Sequence, residues 1–275
     1  MARNGKNCQF MNYAMLLNSG IVIQSKIRLI ALNSTISEKH RYPMNILIVH
    51  AHPEPQSFTT ALKSTAKQTL EKLGHRVEVS DLYAMQFNPI ASKEDFLELN
   101  QPDYFNYALE QRNASKNQLL APDIQAEIEK VKKANLVILN FPLYWTSVPA
   151  ILKGWIDRVF VSGLFYGGKR FYNHGGMTGK KAMLCLTLGG RTHMFGENAI
   201  HGPIEHYLSP IQRGTLAYAG FEVLPPFTAY HVPYISQEAR ETLLEDYVTY
   251  LTHLDQLEPL EFPKLEQFDE KLYPL

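Results

Sequence analysis

Between two prolines, the run Pro142-Leu143-Tyr144-Trp145-Thr146-Ser147-Val148-Pro149 sets a tyrosine and a tryptophan side by side. Proline fixes its own φ and turns the preceding residue away from helix, so this segment stays open. Aromatic side chains in an open loop suit a flat, conjugated ligand better than a sugar or an ion. Packing at a core edge is an equally ordinary use for them. A second stretch, His52-Pro53-Glu54-Pro55-Gln56-Ser57-Phe58-Thr59, offers hydroxyls and free amides at the start of a helix. Helix starts bind anions, and His52 adds a donor; Ser57 also reads as a plain helix cap. In a third stretch, Gly189-Gly190 removes side chains where backbone must approach a ligand closely.

The elements that would position these loops are legible as alternating strands and helices. Residues 45–49 and 136–139 are continuous apolar runs, the mark of strands covered on both faces. Residues 77–79, 181–187 and 221–224 supply three more strands. Ser57 caps a helix with Phe58, Leu62, Ala66 and Leu70 on its apolar side, ending at Gly74. Further helices are expected after Pro149, over 124–134 and over 237–254, with a helical segment within 201–219, while 84–122 reads as mostly irregular. Five strands alternating with helices imply an α/β fold, a doubly wound five-stranded parallel sheet of flavodoxin-like type. The three loops follow the first, third and fourth strands, so all three open at one sheet edge. A phosphate site, an aromatic wall and a side-chain-free floor there describe a flavin nucleotide site.

The chain has 275 residues, 27 basic and 27 acidic, and therefore no basic excess with which to hold nucleic acid. Cys8 and Cys185 are the two cysteines, far too few for a disulfide framework or a cysteine zinc site. A reducing cytoplasm suits that usage. The first 43 residues are basic and only patchily apolar, so stable membrane insertion is not expected. Met44 directly precedes the first strand. The expected organisation is an N-terminal extension over 1–43, a catalytic domain over 44–256, and an extended tail over 257–275. No G-x-G-x-x-G follows the first strand, and neither a P-loop, a G-x-S-x-G nor an H-E-x-x-H is present, so no metal is expected.

From Met44 to about Pro263 the chain resembles the NAD(P)H:quinone oxidoreductases of DT-diaphorase type, including their bacterial relatives. The resemblance rests on Ala51-His52 with Ser57-Phe58 and on Ser80-Asp81-Leu82-Tyr83-Ala84-Met85. Phe141-Pro142-Leu143, Trp145, Val148-Pro149-Ala150-Ile151-Leu152-Lys153-Gly154-Trp155 and Arg158-Val159-Phe160 carry it further. Gly189-Gly190, Met194, Ile200-His201-Gly202, Pro210-Ile211-Gln212 and Gly220-Phe221 complete it. It implies a homodimer that holds FAD, with FMN the lesser candidate, takes electrons from NAD(P)H and reduces quinones by two electrons in a ping-pong cycle. By position it assigns His52, Ser57, Phe58, Thr59, Asn106, Pro142, Leu143, Tyr144, Trp145, Thr146, Thr187, Leu188, Gly189, Gly190 and Arg240 to the flavin. Tyr166, from the opposite subunit, would close a quinone pocket with Gly167, Gly168 and His201.

Departures from the family pattern fall beside the chemistry. Mammalian members place a Tyr and a His near the flavin; here His201 is kept and Phe195 stands at the Tyr position. Gly168 replaces a second pocket Tyr, Leu188 replaces a Thr, and the long C-terminal extension has no counterpart. Flavin reduction places negative charge near N1 and O2, where the amides of Gly189 and Gly190 would act as preorganised donors. His201 would supply a proton or a hydrogen bond at neutral pH. Two other classes share such a chain: a flavin-binding regulatory subunit of a potassium efflux system, and an electron-carrier flavodoxin. Co-purification with a transporter marks the first, and failure to oxidise NAD(P)H the second.

Overall fold

The computed structural model describes residues 43–275, so the expected N-terminal extension lies outside the described residues except for its last member. The sheet contains β1 (Asn45–His50), β2 (Arg76–Asp81), β3 (Leu136–Pro142), β4 (Lys181–Thr187), β5 (Glu222–Val223) and β6 (Phe227–Ala229). Their order is β2-β1-β3-β4-β5, with β6 on β4, and every pairing is parallel. The helices are α1 (Phe58–Lys72), α2 (Tyr107–Asn117), α3 (Pro122–Lys133), α4 (Ala150–Val159), α5 (Ile204–Ile211) and α6 (Gln237–Thr252).

Side chains alternate across a strand, and the two faces build separate cores. Leu47, Val49, Val137, Leu139, Leu184 and Leu186 pack with Ile124, Ile128, Leu152 and Trp155 of α3 and α4. Ile46, Ile48, Ile138, Met183 and Cys185 pack with Leu62, Leu70, Tyr247 and Leu251 of α1 and α6. All seven residues of β3 are buried, as a strand covered on both faces requires. Burial pushes the Cys185 thiol up to about 11.

The segment 84–122 is mostly irregular, as expected, and α2 occupies eleven of its residues. One expectation is corrected. The fifth strand is not one run over 221–224. Pro225 and Pro226, which have no N–H to offer a ladder, separate β5 from β6, and both lie along the same edge of β4. Residues 201–219 carry a helical segment, as expected. α5 begins at Ile204, and over Gln212–Ala217 it passes into a π-helical stretch just after Pro210. The tail is tied to the body: Leu260 N–H donates to Val223 O at 2.8 Å, and Glu266 accepts from Asn173 and pairs with His174. Among the described residues no helix is long and apolar enough to cross a membrane.

Candidate active site

β1, β3 and β4 are neighbours in the sheet and run parallel, so the loops at their carboxyl ends meet at one edge. In sheets of this order, ligands bind there, beside the switch point between β1 and β3. A cavity of about 600 Å³ opens at that place.

The loop after β1 supplies one end of it. Ser57 is the N-cap of α1 and accepts from Thr60 N–H at 3.1 Å. Among the described residues the N–H groups of Phe58 and Thr59 have no hydrogen-bond partner, as expected in the first turn of a helix, and both residues line the cavity. Thr59 Oγ1 lies 2.8 Å from Thr187 Oγ1, which ties the start of α1 to the end of β4. His52 also lines the cavity. Burial holds its imidazole below the ordinary histidine value, against the backbone bond at Glu54. Its Nδ1 accepts from Glu54 N–H at 3.0 Å, which leaves the proton of the neutral ring on Nε2.

The loop after β3 contributes Pro142, Leu143 and Tyr144 to the lining. Leu143 N–H donates to Thr187 O at 2.8 Å, and Tyr144 and Ser147 exchange two backbone bonds at 2.9 and 3.0 Å. The tip of this turn is left-handed at two non-glycine residues, Trp145 (φ 46°) and Thr146 (φ 61°). Such positions cost about 1–3 kcal/mol each and persist where the surroundings demand them. Trp145 is 99% exposed, and neither it nor Thr146 lines the cavity.

After β4, Thr187, Leu188 and Gly189 form the floor. A Cβ on Gly189 would meet nothing nearer than 3.9 Å, whereas one on Gly190 would lie 2.8 Å from the Phe195 ring. The cavity continues past these loops to Val232, Pro233 and three residues of α6: Gln237, Arg240 and Leu244. Arg240 donates from Nη2 to Val232 O at 3.3 Å, and its Nε is buried without a partner. A buried guanidinium N–H left unpaired is costly, and it sits in the wall of a cavity that also offers free amides to an anion.

Other residues singled out in the sequence lie outside this lining. Phe195 packs edge-on or tilted against His201, Tyr207 and Tyr230, with ring centroids 5.2, 6.1 and 5.7 Å away. His201 is exposed, and its carbonyl accepts from Tyr207 Oη at 2.5 Å. Tyr166 is half-buried beside Tyr218, and burial raises its phenol above the ordinary value. Gly167 (φ 138°) and Gly168 (φ 62°) follow it in the same loop. Asn106 caps α2, its side chain accepting from Leu109 N–H. Gln56, Ala61, Val232, Pro233, Gln237 and Leu244 also line the cavity; they carry no motif, and only the folding of the loop before α1, the turn at Val232–Tyr234 and the packing of α1 and α6 brings them there.

The family described as Flavodoxin-like fold, Flavodoxin_2, matches residues 44–251. The chain belongs to this family. It is 43% identical over 216 residues to the mouse (Mus musculus) ribosyldihydronicotinamide dehydrogenase (quinone), covering 78% of this chain and 94% of that protein. It is 42% identical over 224 residues to NAD(P)H dehydrogenase (quinone) 1 of the guinea pig (Cavia porcellus), covering 81% and 82% respectively. Among solved structures, a putative quinone reductase from Klebsiella pneumoniae superposes with a TM-score of 0.81 at 37% identity, covering 84% of this chain and 93% of that one.

The Flavodoxin_2 residues fit a flavin nucleotide on their own chemistry. Free amides at the start of α1, the neutral His52 Nε2–H and the unpaired Arg240 Nε–H are donors for phosphate oxygens. Gly189 leaves a floor without a side chain, and Pro142, Leu143 and Tyr144 supply an apolar wall.

Proposed function

We propose that this protein is an NAD(P)H-dependent flavoprotein that reduces quinones by two electrons at the cavity between the loops after β1, β3 and β4. The observation that carries this reading is the cavity itself, with an anion-binding end at α1 and a flat, side-chain-poor floor at Gly189. The activity named for the mouse and guinea pig relatives supports the reaction class.

The flavin is FAD rather than FMN. A single phosphate would be served by the start of α1, yet the lining runs on to Arg240 and Leu244 on α6, where a second phosphate and an adenosine would lie. When bound, the flavin supplies the reversible two-electron carrier between nicotinamide and quinone. Ser57, Phe58, Thr59, His52 and Arg240 bind and orient it. Pro142, Leu143 and Tyr144 exclude water from one edge, and amides of the glycine turn stand ready for developing negative charge. His201, whose ring packs against Phe195, is the candidate proton donor.

The active unit is a homodimer working in the cytoplasm. Trp145 is an almost wholly exposed tryptophan held out by a left-handed turn at the site's rim, and exposed aromatics of that kind mark interfaces. Asn106, Tyr166, Gly167 and Gly168 stand apart from their own subunit's cavity and would complete the partner's site, with Tyr166 over the quinone.

Purified protein titrated with FAD and with FMN, then assayed for quinone-dependent NAD(P)H oxidation, tests the reading. Tight binding of FAD with turnover is expected. A protein that binds neither flavin overturns the reading, and a fully active monomer by sedimentation overturns the dimer.

A further inference from the structure

Three successive peptides of the glycine turn are held by one short loop. Val232 N–H donates to Leu188 O at 3.2 Å, and His231 N–H donates to Gly190 O at 2.9 Å. Between them, His231 Nδ1 lies 2.9 Å from Gly189 O. A carbonyl only accepts, so Nδ1 carries the proton. The other ring nitrogen, Nε2, accepts from Arg191 Nε–H at 3.3 Å. Arg191 has no acceptor to offer, so the pair selects a neutral ring protonated on Nδ1. Both ring nitrogens are thereby engaged.

The consequence lies on the far side of the turn. In a trans peptide the N–H points opposite to the preceding C=O. Fixing Gly189 O therefore fixes the direction of the N–H of Gly190, the residue next to the cavity-lining Gly189, and that N–H makes no hydrogen bond among the described residues. A peptide between two glycines meets little steric resistance to flipping. Backbone bonds hold the peptides before and after it; only a side chain holds this one. His231 itself sits in the left-handed region at φ 59°, a conformation that histidine adopts at a cost.

We propose that His231 is a positioning residue for the flavin site: its Nδ1–H locks the Gly189–Gly190 peptide so that the Gly190 amide is a preorganised donor for charge arising on the flavin, with Arg191 selecting the tautomer. The proposal rests on the flavin reading above and names a residue that reading does not use.

His231→Gly and His231→Asn separate the roles. Both residues accept a left-handed backbone, so neither variant is destabilised at φ 59°. Glycine removes the donor. Asparagine keeps an N–H on the atom bonded to Cγ, where Nδ1 stood. Protein reconstituted with FAD is titrated for its midpoint potential, and oxidised FAD is titrated into apoprotein. In His231→Gly, the preference for reduced over oxidised flavin is expected to fall about tenfold, a midpoint about 30 mV lower for a two-electron couple. Binding of oxidised FAD should change less than threefold, and His231→Asn should restore the potential. A merely structural role would weaken both redox states alike and leave the potential unmoved. Nitrogen NMR of the apoprotein should show His231 protonated on Nδ1. An unchanged potential in His231→Gly, or a ring protonated on Nε2, overturns the proposal while leaving the flavin reading intact. A wild-type protein that takes up no flavin overturns that reading, and this proposal with it.

Discussion

Phe195 closes over Gly190 so tightly that a Cβ built on the glycine would come within 2.8 Å of ring atom Cε2 and 3.1 Å of Cζ. The ring cannot simply retreat, because His201, Tyr207 and Tyr230 surround it. Gly190→Ala is therefore expected to cost about 1–3 kcal/mol, the usual range for overpacking. Much of that should return in the double variant Gly190→Ala/Phe195→Ala, since residues in contact are coupled. Chemical denaturation of the four proteins measures the coupling. Additive losses would mean that the two residues do not press on one another.

The same contact places the far end of the Phe195 ring at the glycine turn. A phenol here could donate to charge arising on the flavin, and phenylalanine cannot. One hydrogen bond to a charged group is worth about 1.5–3 kcal/mol, roughly ten- to a hundredfold in rate. Phe195→Tyr should speed flavin reduction by NAD(P)H by up to that factor, and His201→Ala should slow it. Stopped-flow bleaching of the flavin reads both. If neither changes the rate, charge is handled by backbone amides alone and His201 has no part in the chemistry.

What the sequence disclosed follows from where its signals come from. β1, β3 and β4 were legible because a strand covered on both faces must be apolar throughout, and 136–139 and 181–187 nearly are. α2 was not, because its buried side is polar. Glu110 accepts the N–H groups of Asn100 and Gln101, and Gln111 bonds Asp157 O and Ser162 N. A helix buried through hydrogen bonds leaves no hydrophobic period to read. The loop residues His52, Ser57 and Gly189, which line the cavity, stood out by type alone. His231 could not, since its role depends on β6, a three-residue strand behind two prolines.

Arg158 shows how that polar segment is fastened to the site's scaffold. Its guanidinium is buried and reaches Asp95 Oδ1 at 3.0 Å from Nε, Asp123 Oδ2 at 2.8 Å and Asn88 O at 2.8 Å. Tyr107 Oη, at the start of α2, bonds the other Asp95 oxygen. Arg158→Met would leave Asp95 buried and unpaired by charge, a loss of about 3–5 kcal/mol. Arg158→Lys should recover little, because a single ammonium cannot reproduce the fork. Equal stability of the lysine variant and the wild type in denaturant would show that charge alone, not the fork, fastens the segment.

His50 gives the fold a dependence on acid. It is 1% exposed at the end of β1, with Nδ1 2.6 Å from Asn140 Oδ1 and Nε2 3.2 Å from Thr60 Oγ1. Burial lowers its basicity more than the Asn140 bond and nearby Asp81 raise it; Lys63 and His52 act with burial. Unfolded, the ring titrates near the ordinary value of about 6.5. Between that value and the lower folded one, the unfolded chain holds a proton that the folded chain refuses. Stability therefore rises with pH through this window and is lost on acidification. His52, lowered for the same first reason, adds a slope of the same sign. Thermal melts from pH 7 down to about 5 should show a falling midpoint, and His50→Gln should flatten the fall by removing the larger buried titration. A slope identical in the variant and the wild type would remove His50 from the account and leave the acid sensitivity to other groups.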